Sequence, residues 1–136
     1  MKTAKMGNTP DNEKLTLNLG FVDLGNIDLL VRNGVYSNRS DFIRTAIRNQ
    51  LTTHADLAKQ ATTRLSLELG LRHFTRHDLE AVRAKDERLD IRVLGLATIA
   101  EDVSPELARA TIASLTILGA LHASAAVKSA LADRLN

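Results

Sequence analysis

Three polar side chains alternate with three leucines near the start of the chain, where residues 14–19 read KLTLNL. Successive side chains of a strand point to opposite faces, so Lys14, Thr16 and Asn18 would share one face. They carry an ammonium, a hydroxyl and an amide, which are groups that recognise a polar partner by hydrogen bonding. The pattern therefore favours recognition over bond-making chemistry.

The leucines on the other face must be buried, and the strand must be paired. It ends at Gly20, and the next candidate strand begins only near Leu65. A lone six-residue strand leaves its edge groups unsatisfied. Pairing with the same strand of a second chain is the economical solution, and it would place Leu15, Leu17 and Leu19 in a shared core.

Two helices follow the predicted strand. The first is predicted over 22–33, with Leu24, Ile27, Leu30 and Val31 at helical spacing, and Gly34 ends it.

The second helix begins with a capping sequence. Asn38 is a good N-cap, and Asp41 three residues later resembles a capping box, with Ser37 and Ser40 as a competing assignment. Its apolar stripe comprises Phe42, Ile43, Ala46, Ile47 and Leu51. A weaker continuation runs through His54, Leu57 and Ala61.

Residues 34–48, GVYSNRSDFIRTAIR, resemble the signature of the ribbon–helix–helix superfamily of Arc, MetJ and CopG. The sequence departs from it by one extra residue after Gly34, by Asn38 in place of a usual Ser, and by Asp41 in place of Glu. Both substitutions keep capping chemistry. Residues 20–26 also lack the Leu-Pro-x-x-Leu common in members, so a late or irregular first helix is expected. The resemblance covers less than a third of the chain.

This resemblance implies a homodimer that binds double-stranded DNA. Its two paired strands would enter the major groove, where Lys14, Thr16 and Asn18 would contact bases. The alternative is that these side chains only decorate a solvent-facing ribbon. The dimer core would comprise Leu15, Leu17, Leu19, Ile27, Leu30, Phe42, Ile43, Ala46 and Ile47.

The start of the second helix is implied to hold DNA phosphates. Free N–H groups at a helix N-terminus favour anions, and Asn38, Arg39 and Ser40 lie there. Arg44 is also assigned to phosphate. For Arg44 and Arg48, four residues apart, a salt bridge within the dimer and a solvated face remain equal alternatives.

The second half of the chain shows a period of 24 residues. Leu67, Ile91 and Leu115 follow it, as do two further sets: Leu69, Val93 and Ile117, and Leu79, Val103 and Val127. The period predicts three strand–helix units, stacked as a short solenoid or as a sheet with helices on one face. The units would open on Leu65, Leu89 and Ala113.

The expected fold class is α+β, in four segments. They are an arm at 1–13, the ribbon–helix–helix module at 14–53, a helical linker at 54–64 and a strand–helix oligomerisation domain at 65–136.

Composition and charge narrow the function classes. The chain has 136 residues and no Cys, which excludes disulfides and thiolate metal sites. Residues 1–64 hold nine basic and six acidic residues (+3), and residues 65–136 hold nine and ten (−1), so the basic excess lies with the predicted DNA contacts. No signal peptide or membrane segment is evident, and a cytoplasmic, nucleoid-associated protein is expected.

Catalysis, cofactors and metals are not expected. His73 and His77 have the spacing of a zinc pair, but Phe74 stands where HExxH requires Glu. Gly70, Gly95 and Gly119 occur one per unit, which indicates close backbone packing or bulges.

The leading hypothesis is a transcriptional repressor that occupies an operator, with 65–136 serving oligomerisation or a protein partner. Two alternatives are an antitoxin and a DNA-anchored, polymer-forming scaffold. The apolar, patterned second half disfavours an antitoxin tail, because such tails are usually short and polar.

Overall fold

The computed structural model describes residues 12–136, so most of the predicted arm lies outside the described residues. The chain divides into two compact units, residues 12–60 and 61–136, and the division falls within a helix. The helices and strands are α1 (Phe21–Arg32), α2 (Arg39–Thr53), α3 (Ala55–Arg64), β1 (Glu68–Phe74), α4 (Arg76–Ala84), β2 (Leu89–Ile99), α5 (Pro105–Thr111), β3 (Ile112–His122), α6 (Ala125–Leu131) and a 3₁₀ turn (Ala132–Arg134). Mixed helix and strand content confirms the α+β class at that level.

The first unit begins with a segment that has no strand partner within the described chain. Residues 13–20 carry no regular hydrogen-bonded structure, so the strand predicted over 14–19 is not formed by this chain alone. Helix α1 starts at Phe21, one residue earlier than predicted, and Gly20 before it makes no side-chain cap. Gly34 has φ of 79°, a conformation that suits glycine after a helix end.

The N-cap of α2 is Asn38, not the competing Ser37. The Asn38 side chain accepts a hydrogen bond from the Asp41 backbone N–H at 2.8 Å. The Asp41 carboxylate in turn accepts from the Ser37 backbone N–H at 2.9 Å. The reciprocal pair therefore resembles a capping box displaced by one residue, since the carboxylate reaches the residue before the N-cap. At its other end α2 stops at His54, and α3 begins directly after it.

The second unit is built on three parallel strands in the order β1-β2-β3. Ile91 lies opposite Leu115, as the 24-residue spacing predicts. Between β1 and β2 the offset is 25, because Leu69 lies opposite Leu94. The 24-residue spacing of Leu69 and Val93 therefore differs by one residue from the register of β1 and β2. The sequence also predicts that the first strand–helix repeat opens at Leu65, but β1 starts at Glu68, after a turn in which Ser66 has φ of 56°, so residues 65 and 67 precede the strand.

One face of the sheet carries the core. Strand residues on that face pack with α4, α5 and α6 in a single cluster comprising Phe74, Leu79, Ile91, Val93, Ala97, Ile99, Val103, Leu107, Ala108, Ile112, Leu115, Val127 and Leu131. All three helices start with a hydroxyl cap, at Thr75, Ser104 and Ser124. The predicted start at Ser104 and Pro105 is confirmed.

Three glycines lie side by side across the sheet. Gly70 is opposite Gly95, and Gly95 is opposite Gly119. Their φ values are 117°, 141° and 121°, a range that residues other than glycine rarely adopt. A Cβ on Gly95 would overlap the carbonyl oxygen of Gly70, and one on Gly119 would overlap that of Gly95. We call these three residues the glycine row; it explains the glycines singled out in the sequence as sites of close backbone approach.

Two arginines of the second unit donate to backbone carbonyls of the helix that follows each of them. Arg88 donates to the carbonyl oxygen of Arg109 at 3.1 Å, and Arg109 donates to that of Ala130. The same contact thus recurs 21 residues further on. Arg109 also forms an ion pair with Asp133 at 2.9 Å.

Candidate DNA-binding interface

The predicted base-reading residues lie in an exposed, unpaired segment. Lys14, Thr16 and Asn18 are all exposed. The alternate leucines are exposed as well, with Leu15 at 84%, Leu17 at 60% and Leu19 at 39%. A strand with one polar face should hide its apolar face, so the segment lacks its apolar partner in the single chain.

The two helices behind this segment also leave apolar surface uncovered. Ile27 is 6% exposed and is the one buried hydrophobic residue described in the first unit. Of the other residues assigned to a dimer core, Leu30, Phe42 and Ile43 are half-buried, whereas Ala46 and Ile47 are exposed. The predicted core is therefore incomplete within one chain.

Arg39 is held by a neighbouring helix. Its Nε donates to Asp28 Oδ1 and its Nη2 donates to Asp28 Oδ2, both at 2.8 Å, which makes a two-pronged ion pair between α2 and α1. The hydrogen bond from Arg39 lowers the pKa of the Asp28 carboxyl, and the same bond raises the pKa of Arg39. Sequence reasoning missed Asp28, because nothing in the residue pattern shows that it and Arg39 meet.

This ion pair changes what Arg39 can offer to DNA. Both side chains remain about half exposed, at 55% and 48%. A phosphate would have to share the guanidinium with the Asp28 carboxylate, which already occupies two of its donors. The main contact of the Arg39 guanidinium is therefore the one that holds α2 against α1.

The other two cationic side chains of α2 form no ion pair within the described chain. Arg44 and Arg48 are both exposed, and neither has an ion pair among residues 12–136. Ser40 is exposed at the first turn, and Asn38 beside it uses its side-chain oxygen for the cap.

An aromatic contact fixes the turn between the helices. The rings of Tyr36 and Phe42 meet edge to face, with centroids 5.0 Å apart and planes at 85°. Such pairs stabilise by about 1 kcal/mol beyond their buried area. The contact joins the turn before Asn38 to the first part of α2.

The side chains weighed for other chemistry are used structurally. His73 hydrogen-bonds the Thr98 hydroxyl across the sheet. Among residues 12–136, no group of three or more His, Cys, Asp or Glu could hold a metal ion. Asp90 forms an ion pair with Arg92 at 2.9 Å and accepts a hydrogen bond from the Ser114 hydroxyl.

Residues 10–128 match the model of the ribbon–helix–helix transcriptional regulator family. The chain belongs to this family. The match extends well beyond the short signature, so family likeness includes most of the second unit. Ribbon–helix–helix regulators bind DNA as dimers and are typically not enzymes. No curated protein and no solved structure matches the chain. None of the described helices is long and apolar enough to span a lipid bilayer.

Proposed function

We propose that this ribbon–helix–helix protein binds specific double-stranded DNA as a homodimer and represses transcription by occupying an operator. One observation carries the proposal: both the polar and the apolar residues of the alternating segment 14–19 are exposed, and the two helices that follow it have an incomplete core. A second copy supplies both missing partners at once, as a strand for the strand and as apolar surface for the core.

The paired strands form the reading surface. With Leu15, Leu17 and Leu19 turned into the dimer, Lys14, Thr16 and Asn18 project from the opposite face, once from each chain. Lys donates to guanine O6 and N7, and Asn makes two hydrogen bonds with adenine. Thr hydrogen-bonds a base edge or contacts a thymine methyl group. Each well-made pair discriminates by about 1–3 kcal/mol against the wrong base.

The start of α2 positions the dimer on the DNA backbone. The backbone N–H groups of the first turn, with Ser40 and the uncommitted Arg44, bind phosphate. Arg39 contributes mainly by holding α1 to α2 through Asp28, so its contribution to affinity is indirect. The second unit provides oligomerisation or a protein-partner surface. Its folded core is unlike the short polar tail expected of an antitoxin.

The test is binding to the protein's own promoter region and to random duplex DNA, by fluorescence anisotropy at two salt concentrations. The variant Lys14→Ala/Thr16→Ala/Asn18→Ala is compared with wild type and with Lys128→Ala. The control removes an exposed cation from the second unit. Circular dichroism establishes that all three proteins fold.

We expect wild type and Lys128→Ala to bind the promoter tightly and with strong salt dependence. The triple variant should lose at least about 100-fold in promoter affinity and keep only weak, sequence-blind binding. Equal loss on both duplexes would assign these residues to phosphate contact. No loss at all would mean that the ribbon does not read DNA.

A further inference from the structure

The two edges of the C-terminal sheet differ. At β3, Leu135 bridges to Leu115, and the Asn136 backbone N–H donates to the Leu115 carbonyl oxygen at 2.8 Å. These residues cover the start of that edge. At β1, by contrast, β2 pairs along one side, and no described residue pairs with the outer side of Glu68–Phe74. An open strand edge is a template for another strand.

Exposed leucines lie on the same strand as the open edge. On the sheet face away from the helices, Leu69 is 81% exposed and Leu71 is 67% exposed. Their neighbours on β2, Leu94 and Leu96, are half-buried. Leu118 lies in the same row as Leu69 but on the far strand, and it is 46% exposed. The apolar side chains on this face are therefore more exposed at the β1 edge than at the β3 edge.

We propose that β1 pairs antiparallel with β1 of a second copy of this chain, within the dimer, to form a continuous six-stranded sheet. The proposal rests on the dimerisation in the proposed function, and adds a second contact to it. A two-fold axis pairs the same strand from both chains and closes the assembly, so no edge at β1 remains for polymerisation.

The residue pattern of β1 fits this pairing. Full overlap of the seven residues places Leu71 opposite itself on the axis. Glu68 then faces the partner's Phe74, and Arg72 faces the partner's Gly70, so no like charges oppose each other. Glu68 and Arg72 already neutralise one another within each chain, with a 2.6 Å ion pair.

The occupant is a second copy because dimerisation holds one nearby. Helix α2 ends at Thr53 and β1 begins at Glu68. The intervening residues span at most about 50 Å when extended, so a dimer formed by the first unit confines both β1 strands to millimolar effective concentrations. One strand pair is small beside the roughly 1,600 Å² buried in a standard interface. It therefore forms through tethering, which no unlinked partner supplies.

Cysteine crosslinking of the full chain tests the pairing, because the natural sequence contains no Cys. Leu71→Cys places a thiol opposite its own copy on the axis, and the double variant Leu69→Cys/His73→Cys places thiols that face each other across the strand pair. Leu118→Cys places one thiol on the same face at the opposite edge. Directly opposed residues in a strand pair lie within disulfide reach. Under mild oxidation we expect Leu71→Cys to form covalent dimers at least tenfold faster than Leu118→Cys.

Intramolecular geometry gives a second readout. The crosslinked fraction of Leu71→Cys should stay constant when the protein is diluted about 100-fold, since the strands meet within one dimer. A yield that falls on dilution means contacts between dimers and overturns the inference. So does equal crosslinking at Leu118, which indicates face-to-face sheets, or no crosslinking in either Leu71→Cys or Leu69→Cys/His73→Cys.

The two proposals fail in distinguishable ways. A monomer in light scattering refutes the homodimer itself. A dimer that binds promoter DNA but does not crosslink through β1 refutes only the strand pairing. Leu69→Cys/His73→Cys keeps the test valid should Leu71→Cys fail to fold.

Discussion

The two units of this chain differ in how much of their hydrophobic surface is buried within the single chain. Of the described hydrophobic residues that are buried, thirteen form the cluster of the second unit and one, Ile27, lies in the first. The first unit instead exposes Leu15, Leu17, Leu19, Phe21, Val22, Leu29, Val35, Ile47, Leu51 and Leu57. The second unit can be stable on its own contacts, whereas the first leaves most of its apolar side chains uncovered in the single chain. In the proposed dimer, folding of the first unit is therefore coupled to assembly.

We expect the largest difference between the two units in the variant Leu17→Glu, which should disrupt the first unit and leave the second unit folded. In the dimer it buries two carboxylates without partners, so we expect dimer affinity to fall by at least about 1,000-fold. Light scattering measures the dissociation. Fluorescence of Tyr36, the only tyrosine in a chain without Trp, reports the first unit.

The matched control is Thr16→Glu on the other face. It should keep the dimer and lose DNA binding through charge repulsion. In both variants the second unit should keep its thermal transition by circular dichroism. If Leu17→Glu leaves the dimer intact, the leucine face is not the interface.

A smaller effect is expected from Gly95→Ala in the second unit. Its φ of 141° suits glycine almost exclusively, and the new Cβ would overlap the Gly70 carbonyl oxygen. Destabilisation by about 3 kcal/mol is expected, measured by urea unfolding. Gly25→Ala, within α1 and with nothing near its Cβ position, should be neutral or stabilise by up to about 1 kcal/mol. Equal changes in the free energy of unfolding for the two variants would contradict a requirement for glycine at the positions of the glycine row.

The smallest effect concerns two ion pairs, one in each unit. Hydrogen bonds from Arg39 and Arg109 lower the pKa of Asp28 and Asp133 below the ordinary 3.8. Because the folded-state pKa is depressed, each carboxylate stabilises its unit above about pH 4, and this stabilisation is lost as the pH falls further.

Asn substitutions assign the acid sensitivity to a unit. Asp28→Asn should flatten the acid dependence of Tyr36 fluorescence, and Asp133→Asn that of the second unit's circular dichroism signal. Each substitution should leave the other unit's profile unchanged. An effect of Asp28→Asn on both signals would show that the units unfold together.

Local patterns predicted the helices of the first unit well. Gly34 and the cap at Asn38 fix helix ends through contacts within a few residues, so they are readable from sequence. The strand predicted over 14–19 is different, because the described chain offers it no partner strand. The ion pair of Asp28 with Arg39 depends on how two helices pack, which no local pattern encodes.

The register of the second unit shows the limit of apolar periodicity. Leucines at 65, 67 and 69 continue the alternation through a turn, so the pattern could not distinguish an offset of 24 from 25. The spacings of Gly70, Gly95 and Gly119, 25 and 24 residues, do match the register, because these glycines lie opposite one another where the backbones approach closely. The predicted base and phosphate contacts of the first unit stay predictions.

The glycine row divides the second unit into parts that tolerate changes in length and parts that do not. The offset of 25 on one side of β2 and 24 on the other shows that connections can absorb an extra residue. An insertion inside a strand would instead set a side chain against a neighbour's carbonyl. Grafted loops and reporter peptides should therefore be inserted in the turns around the helices, because insertions there do not shift the register of the strands.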